Sequence, residues 1–208
     1  MKKMRALISN PGLLFLSLRN RLFAYRISLK RNIVVKGKLS INGKPIIDIS
    51  KNSKLILGDS VTLNSRNRGY HINMHSPVKL FADRPGAIIQ IGDGTRIHGT
   101  CIHAYNSITI GRNCLIAANC QIIDGNGHDL SFSNVDNRIN THGGSKPVKL
   151  EDSVWLGANT IILPGVTIGK GTVISANSVV TKDIPSMVLA AGNPARVLKQ
   201  YESAPNQE

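Results

Sequence analysis

Residues 148–185 read VKLEDSVWLGANTIILPGVTIGKGTVISANSVVTKDIP, and within them large aliphatic residues recur every six positions at Leu150, Leu156, Ile162, Ile168, Ile174 and Val180. Four positions after each stands a small or β-branched residue: Val154, Thr160, Val166, Thr172, Ser178 and Ile184. Three positions after most of them comes Asn159, Gly165, Gly171, Asn177 or Asp183, residue types that accept a left-handed backbone at least cost. A period of six fits neither a 3.6-residue helix nor an alternating hairpin sheet. It fits a short strand followed by a corner, with three such units closing a triangular coil. The same phase recurs at Ile91, Ile97, Ile110, Ile116 and Ile122, slipping by one residue between 97 and 110, with corners at Gly94, Asn113 and Asn119. A weaker echo, LILGDSVTL, lies at 55–63. Stacked coils accumulate core rung by rung, which explains how a chain with only 4% aromatic residues builds an interior. Cys114 and Cys120, six apart, fall in the small interior slot of successive rungs and are expected to be filler.

The chain has 208 residues, enough for one repeat domain and a small appendage. Its net charge of +14 comes from 26 Lys and Arg against 12 Asp and Glu, and eleven of the basic residues precede the first carboxylate, Asp48. The remainder is nearly neutral and poor in rings for base stacking, which excludes nucleic acid as the partner. Residues 1–32 read as a basic amphipathic helical segment, either one helix or two broken near Asn10, Pro11 and Gly12. Leu13, Leu16, Phe23 and Ile27 are available for one face, and Arg19, Arg21, Arg26, Lys30 and Arg31 supply the charge. Two uses suit it: packing on its own domain or a neighbouring subunit, or peripheral contact with an anionic membrane. No stretch approaches the roughly 20 apolar residues of a membrane span. The three cysteines, an odd number without a C-x-x-C pair, suit a reducing cytoplasm. The expected division is 1–32 helical head, 33–198 coil, and 199–208 flexible tail.

Between Ile122 and Leu150 the phase breaks, and the intervening DGNGHDLSFSNVDNRINTHGGSKP, residues 124–147, is polar and rich in turn formers. Such a segment cannot be coil interior; it is expected to be extruded and to carry chemistry positioned by the rigid scaffold. It places Asp124 and His128 at the coil edge, with Arg138 and His142 further along. An imidazole with a pKa near 6.5 can take a proton from an attacking alcohol at neutral pH. A lone loop histidine is, however, more often a solvated turn residue.

The hexapeptide pattern, the stretch VWLGANTIILPGVTIGKGTVISANSVVTKDIP and the closing AAGNPARVL together resemble the hexapeptide-repeat acyltransferases. Within that family the resemblance is closest to the O-acetyltransferases of maltose, galactoside and surface-polysaccharide sugars. It implies a left-handed parallel β-helix, a homotrimer, acetyl-CoA as donor and a sugar or glycan as acceptor. It further implies that His128 is the catalytic base, with His142 as fallback, and that Asp124 orients His128 or contacts the acceptor. On the donor side it points to Trp155, Ala158, Ala176, Thr181, Lys182 and Arg196, with Arg138, His98 and His103 as candidates for the acceptor. The implied function is sugar O-acetylation in bacterial capsule or surface-polysaccharide assembly, cytoplasmic or peripheral at the inner face of the membrane. The alternatives are N-acetylation of a nucleotide-linked amino sugar, or acetylation of serine or a xenobiotic. His98 and His103 also have the spacing of a metal-binding pair in hydratases resembling the gamma-class carbonic anhydrases. The third histidine should then lie near 62, where Thr62 stands, so no metal is expected.

Overall fold

The computed structural model describes residues 11–202. Lys2, Lys3 and Arg5 of the basic head, and residues 203–208 of the tail, lie outside them. The chain winds as a three-sided prism whose faces are sheets of six, eight and six strands. The first face stacks β1 (Ile33–Val35), β4 (Lys54–Leu57), β7 (Ile88–Ile91), β10 (Ser107–Ile110), β13 (Val148–Leu150) and β16 (Thr167–Ile168). The second stacks β2 (Leu39–Asn42), β5 (Val61–Asn64), β8 (Arg96–His98), β11 (Leu115–Ile116), β14 (Trp155–Leu156), β17 (Val173–Ile174) and β19 (Val188–Gly192). The third stacks β3 (Ile46–Ile49), β6 (Lys79–Ala82), β9 (Cys101–Ala104), β12 (Gln121–Ile123), β15 (Ile161–Ile162) and β18 (Val179–Val180). All these pairings are parallel, and β20 (Ala195–Gln200) closes the second face by pairing antiparallel with β19. The final strand therefore takes in Lys199 and Gln200, which the sequence assigns to the tail.

The register carries out the six-residue period. Leu150 lies over Ile168, Leu156 over Ile174 and Ile162 over Val180, and all six are buried. Ile110 pairs with Leu150 across the phase break, so the coil resumes in step once the intervening loop has left it. Cys114 and Cys120 fill interior slots, each thiol 3.2 Å from a carbonyl of the next coil.

Corners obey the expected chemistry with one exception. Asn113, Asn119, Asn159, Asn177, Gly94, Gly165 and Gly171 have positive φ, and so does Ser153. Asp183 does not; its carboxylate instead accepts the Thr167 N–H at 2.7 Å. Asp59, Asp93 and Asp152 do the same, each accepting a backbone N–H of the coil below at 2.7 Å. Carboxylates are thus spent on corners where the backbone donor would otherwise go unpaired.

Helix α1 (Pro11–Ser28) covers the open N-terminal end of the prism, packing on β1 and β2. Ile27 is buried in the core and Phe23 packs against it beside Leu39 and Ile41. A solenoid must close its first coil somehow, and burying one such side chain contributes roughly 1.5–3 kcal/mol. No helix of the described residues is long and apolar enough to cross a membrane.

Candidate active site

Two insertions leave the prism at different corners. The first, residues 65–78, leaves after β5, at the corner between the second and third faces. Sequence reasoning did not single it out, although the polar SRNRGYHINMHSP of residues 65–77 carries the same signal as the later loop. Asn119, two coils above, pins it by accepting from the His75 N–H at 2.9 Å and donating to the Asn73 carbonyl at 3.0 Å. Pinned in this way, it lays Tyr70, His71 and Ile72 along a groove of about 570 Å³ on the second face. The groove floor is Leu115, Trp155 and Val173, outward-facing on three successive strands, and its rim is Gly157, Ala158, Ser175 and Ala176. Trp155 is half exposed there. A Cβ at Gly157 would collide with the Ala176 backbone, so the two turns at this rim stack with no room between them.

His98 and Arg96 form the lower end of this groove. The His98 ring stacks on Tyr70, centroids 4.5 Å apart. The Asn64 side chain accepts the Arg66 N–H through Oδ1 at 3.2 Å, which leaves its Nδ2 to donate to His98 Nδ1 at 3.1 Å. Nδ1 is therefore the acceptor and Nε2 carries the proton. Burial, then the charge of Arg96, then His71, push the His98 pKa down to about 4. At neutral pH His98 is an uncharged hydrogen-bond donor.

The second insertion, residues 124–147, leaves after β12, at the corner between the third and first faces. Its stalk is closed by the Gly125–Ser145 bridge and by Lys146 N–H to the Asp124 carbonyl at 2.7 Å. Asp124 is fully buried, and its carboxylate accepts the N–H groups of Tyr105, Asn106 and Ser107 at 2.6, 2.8 and 2.6 Å. Both oxygens are thus committed to the corner below, where the sequence phase slips. The orienting contact expected of Asp124 is made by another group: His128 Nδ1 lies 3.2 Å from the Thr141 carbonyl. A carbonyl only accepts, so Nδ1 is the protonated nitrogen and Nε2 offers its lone pair outward. Thr141 also accepts the Asp129 N–H and donates to the Arg138 carbonyl, fixing both sides of the loop. Arg138 Nε is bound to the Leu130 carbonyl at 2.7 Å. His142 is exposed further along the loop.

The remaining candidates divide between the corners. Thr181 and Lys182 follow β18, exposed at the same third-to-first corner as the His128 loop. Arg196 is exposed on β20. His98 and His103 do not meet: His103 lies on the third face, 3.1 Å from Asp83 and stacked on Phe81. Asn64, and not Thr62, is the neighbour of His98 on the strand below. Among the described residues no three His, Cys, Asp or Glu side chains converge as a metal-ligand set. One chain therefore holds the groove and His128 at opposite edges of its third face.

The pattern of the bacterial transferase hexapeptide family (six repeats) matches residues 147–182, and that of the hexapeptide repeat of succinyl-transferase matches residues 88–123. WbbJ of Escherichia coli (strain K12), named as a lipopolysaccharide biosynthesis O-acetyl transferase, is 33% identical over 159 residues, 73% of this chain and 81% of WbbJ. Galactoside O-acetyltransferase of the same organism is 44% identical over 94 residues, 45% of this chain and 44% of that protein. Among solved structures, a maltose O-acetyltransferase from Clostridium difficile 630 superposes with a TM-score of 0.57 at 26% identity, covering 94% of this chain and 91% of the other. The chain belongs to the hexapeptide-repeat acetyltransferases, and its coil is their left-handed parallel β-helix. It spans about half the length of several curated relatives it matches, the galactoside enzyme among them.

Proposed function

We propose that this chain transfers an acetyl group from acetyl-CoA to a sugar hydroxyl, as a cytoplasmic homotrimer serving bacterial capsule or surface-polysaccharide assembly. The observation that carries the proposal is the 3.2 Å contact between His128 Nδ1 and the Thr141 carbonyl; because a carbonyl only accepts, this reading assigns the ring proton to Nδ1 and leaves Nε2 to act as the base. In the proposed reaction, Nε2 takes the proton of the acceptor hydroxyl as its oxygen attacks the thioester carbon. The tetrahedral intermediate then expels the coenzyme A thiolate, and the imidazolium returns the proton to sulfur. The products are an acetyl ester and free thiol, and His128 ends neutral. Positioning of this kind contributes about 10²–10⁴ in rate.

The groove of Trp155, Ala158 and Ala176 suits a long flexible pantetheine arm: a flat aromatic floor, small rim residues and accessible backbone groups. Lys182 and Arg196 would meet its phosphates through charge-assisted contacts. The neutral Nε2–H of His98 would donate to the acceptor, with Arg138 and His103 as further candidates to contact it. Placing two copies side by side, the second-to-third corner of one against the third-to-first corner of the next, would close the gap between groove and base. A ring of three repeats that contact without leaving an open end.

The test is His128→Ala in a thiol-release assay with acetyl-CoA and a panel of free sugars, nucleotide sugars and lipid-linked oligosaccharides. Transfer is expected to fall at least about 10²-fold while calorimetric binding of acetyl-CoA and the assembly state persist. Near-normal turnover in that variant would falsify the base assignment.

A further inference from the structure

Helix α1 carries two apolar faces, and capping the prism uses one. The inner face holds Phe23 and Ile27 against the first coil. The outer face consists of Phe15, Leu18, Leu22, Tyr25 and, just past the helix, Leu29, all between 49% and 68% exposed. Their separations alternate three and four, so they form one narrow stripe, about 150° around the helix from the inner face. Arg19 and Arg26 border the stripe on one side and Arg21 on the other, all exposed. Lys30, Arg31, Lys36, Lys38 and Lys44 are exposed around the same end of the prism. None of these cations takes part in the ion pairs of the described residues, and no carboxylate precedes Asp48 in the chain.

The charges decide what covers the stripe. A second copy of the helix using it as a coiled-coil seam would set Arg21 opposite Arg26 in a parallel pair. An antiparallel pair would again match arginine with arginine. Like charges at both flanking positions oppose self-association and favour a surface that is apolar below and anionic above. We propose that the outer face of α1 docks on an anionic lipid surface. The helix lies in the plane of the interface, with Leu18, Leu22 and Tyr25 entering the acyl boundary and the flanking arginines meeting lipid phosphates. It lies on the membrane and does not span it, and the prism stands on its N-terminal end.

The experiment is flotation of the full-length protein with vesicles of phosphatidylcholine alone or of phosphatidylcholine containing phosphatidylglycerol, with sedimentation velocity and thermal unfolding of every variant in parallel. The wild type is expected to float only with phosphatidylglycerol and to be released by salt. Arg19→Gln and Arg26→Gln should each lower partitioning about fivefold. Leu18→Ser/Leu22→Ser/Tyr25→Ser should abolish it, with assembly state and Tm unchanged. The proposal is overturned by a wild type that floats with neither lipid, by a serine variant that still floats, or by a serine variant whose assembly state changes. In that last case the stripe is a seam between subunits.

Discussion

Asp124 separates a structural from a catalytic use of the same buried carboxylate, and Asp124→Ala tests which applies. The substitution leaves the N–H groups of Tyr105, Asn106 and Ser107 without their acceptor. An unpaired buried donor costs about 1–3 kcal/mol, and the site relaxes as water enters, so the expected loss is about 3–6 kcal/mol. For a chain of this size that lowers Tm by roughly 10–20 °C. Asp124→Asn keeps one oxygen and opposes an amide NH₂ to at least one of the same donors, so it should fall between the two. Hydrogen exchange should show lost protection at residues 105–107, because they are the donors released. The kcat of the folded fraction should fall far less than in His128→Ala, since Thr141 and not Asp124 holds the imidazole. A carboxylate that orients a catalytic histidine behaves in the opposite way: its asparagine variant keeps the fold and loses up to about 10⁴ in kcat. An Asp124→Asn enzyme with unchanged Tm and a loss of that size would refute the corner-clamp assignment.

Four further outcomes follow from the same geometry. Mixing His128→Ala subunits with groove-blocked Ala176→Trp subunits, each inactive alone, should restore about a quarter of wild-type activity, because one interface in four of a randomly mixed ring pairs an intact base with an intact groove; no recovery after exchange would mean that each chain completes its own site. Lys182→Ala should raise the KM for acetyl-CoA about three- to tenfold with little change for the acceptor, as an exposed charge contact allows; equal effects on both would count against a phosphate contact. His98 titrates near 4 in the fold against 6.5 when unfolded, so the unfolded chain takes the proton first and stability is lost as pH falls from about 6.5 to about 4. Its partial exposure limits this to about 1–2 kcal/mol, and acid denaturation curves of His98→Gln should be flatter over that window than those of wild type. The buried Cys120 thiol, pushed up to about 11, and buried Cys114 should resist thiol reagents in the native protein, while the partly exposed Cys101 reacts first.

The coil was legible because its constraint is local and periodic. Each rung needs one large aliphatic at a fixed place, and Leu150 through Val180 satisfy it without interruption. The corners were legible for the same reason at Asn159 and Gly165, where a left-handed backbone is required. Asp183 misled because Asp serves two corner chemistries, accepting left-handed angles and accepting hydrogen bonds, and the residue type does not say which is used. The 65–78 insertion escaped because the strands before residue 85 hold the phase weakly, so a break in it is not conspicuous. The second face of α1 escaped because Leu13, Leu16, Phe23 and Ile27 already make one acceptable face, and exposure of the other is decided by tertiary packing alone.

Site residues were legible as types but not as partners. His128 is one of two histidines in the phase-breaking loop, and only the family resemblance singles it out over His142. That its Nδ1 is held by a backbone carbonyl thirteen residues on cannot be read from the sequence, since any residue supplies a carbonyl and Thr141 leaves no mark of that role. The Asn64–His98 contact spans 34 positions and depends on the register of β5 against β8, which emerges only once the coil closes. The two histidines then prove complementary. A backbone acceptor leaves His128 with a free lone pair, whereas an amide donor leaves His98 with a free N–H. The same side chain is thus set by its partner, a backbone acceptor in the corner loop for His128 and a side-chain amide on the second face for His98. In the proposed transfer the base must meet the acceptor where the coenzyme arm lies, and one chain keeps His128 and the groove at opposite edges of its third face, which is the physical reason to expect a shared site between chains.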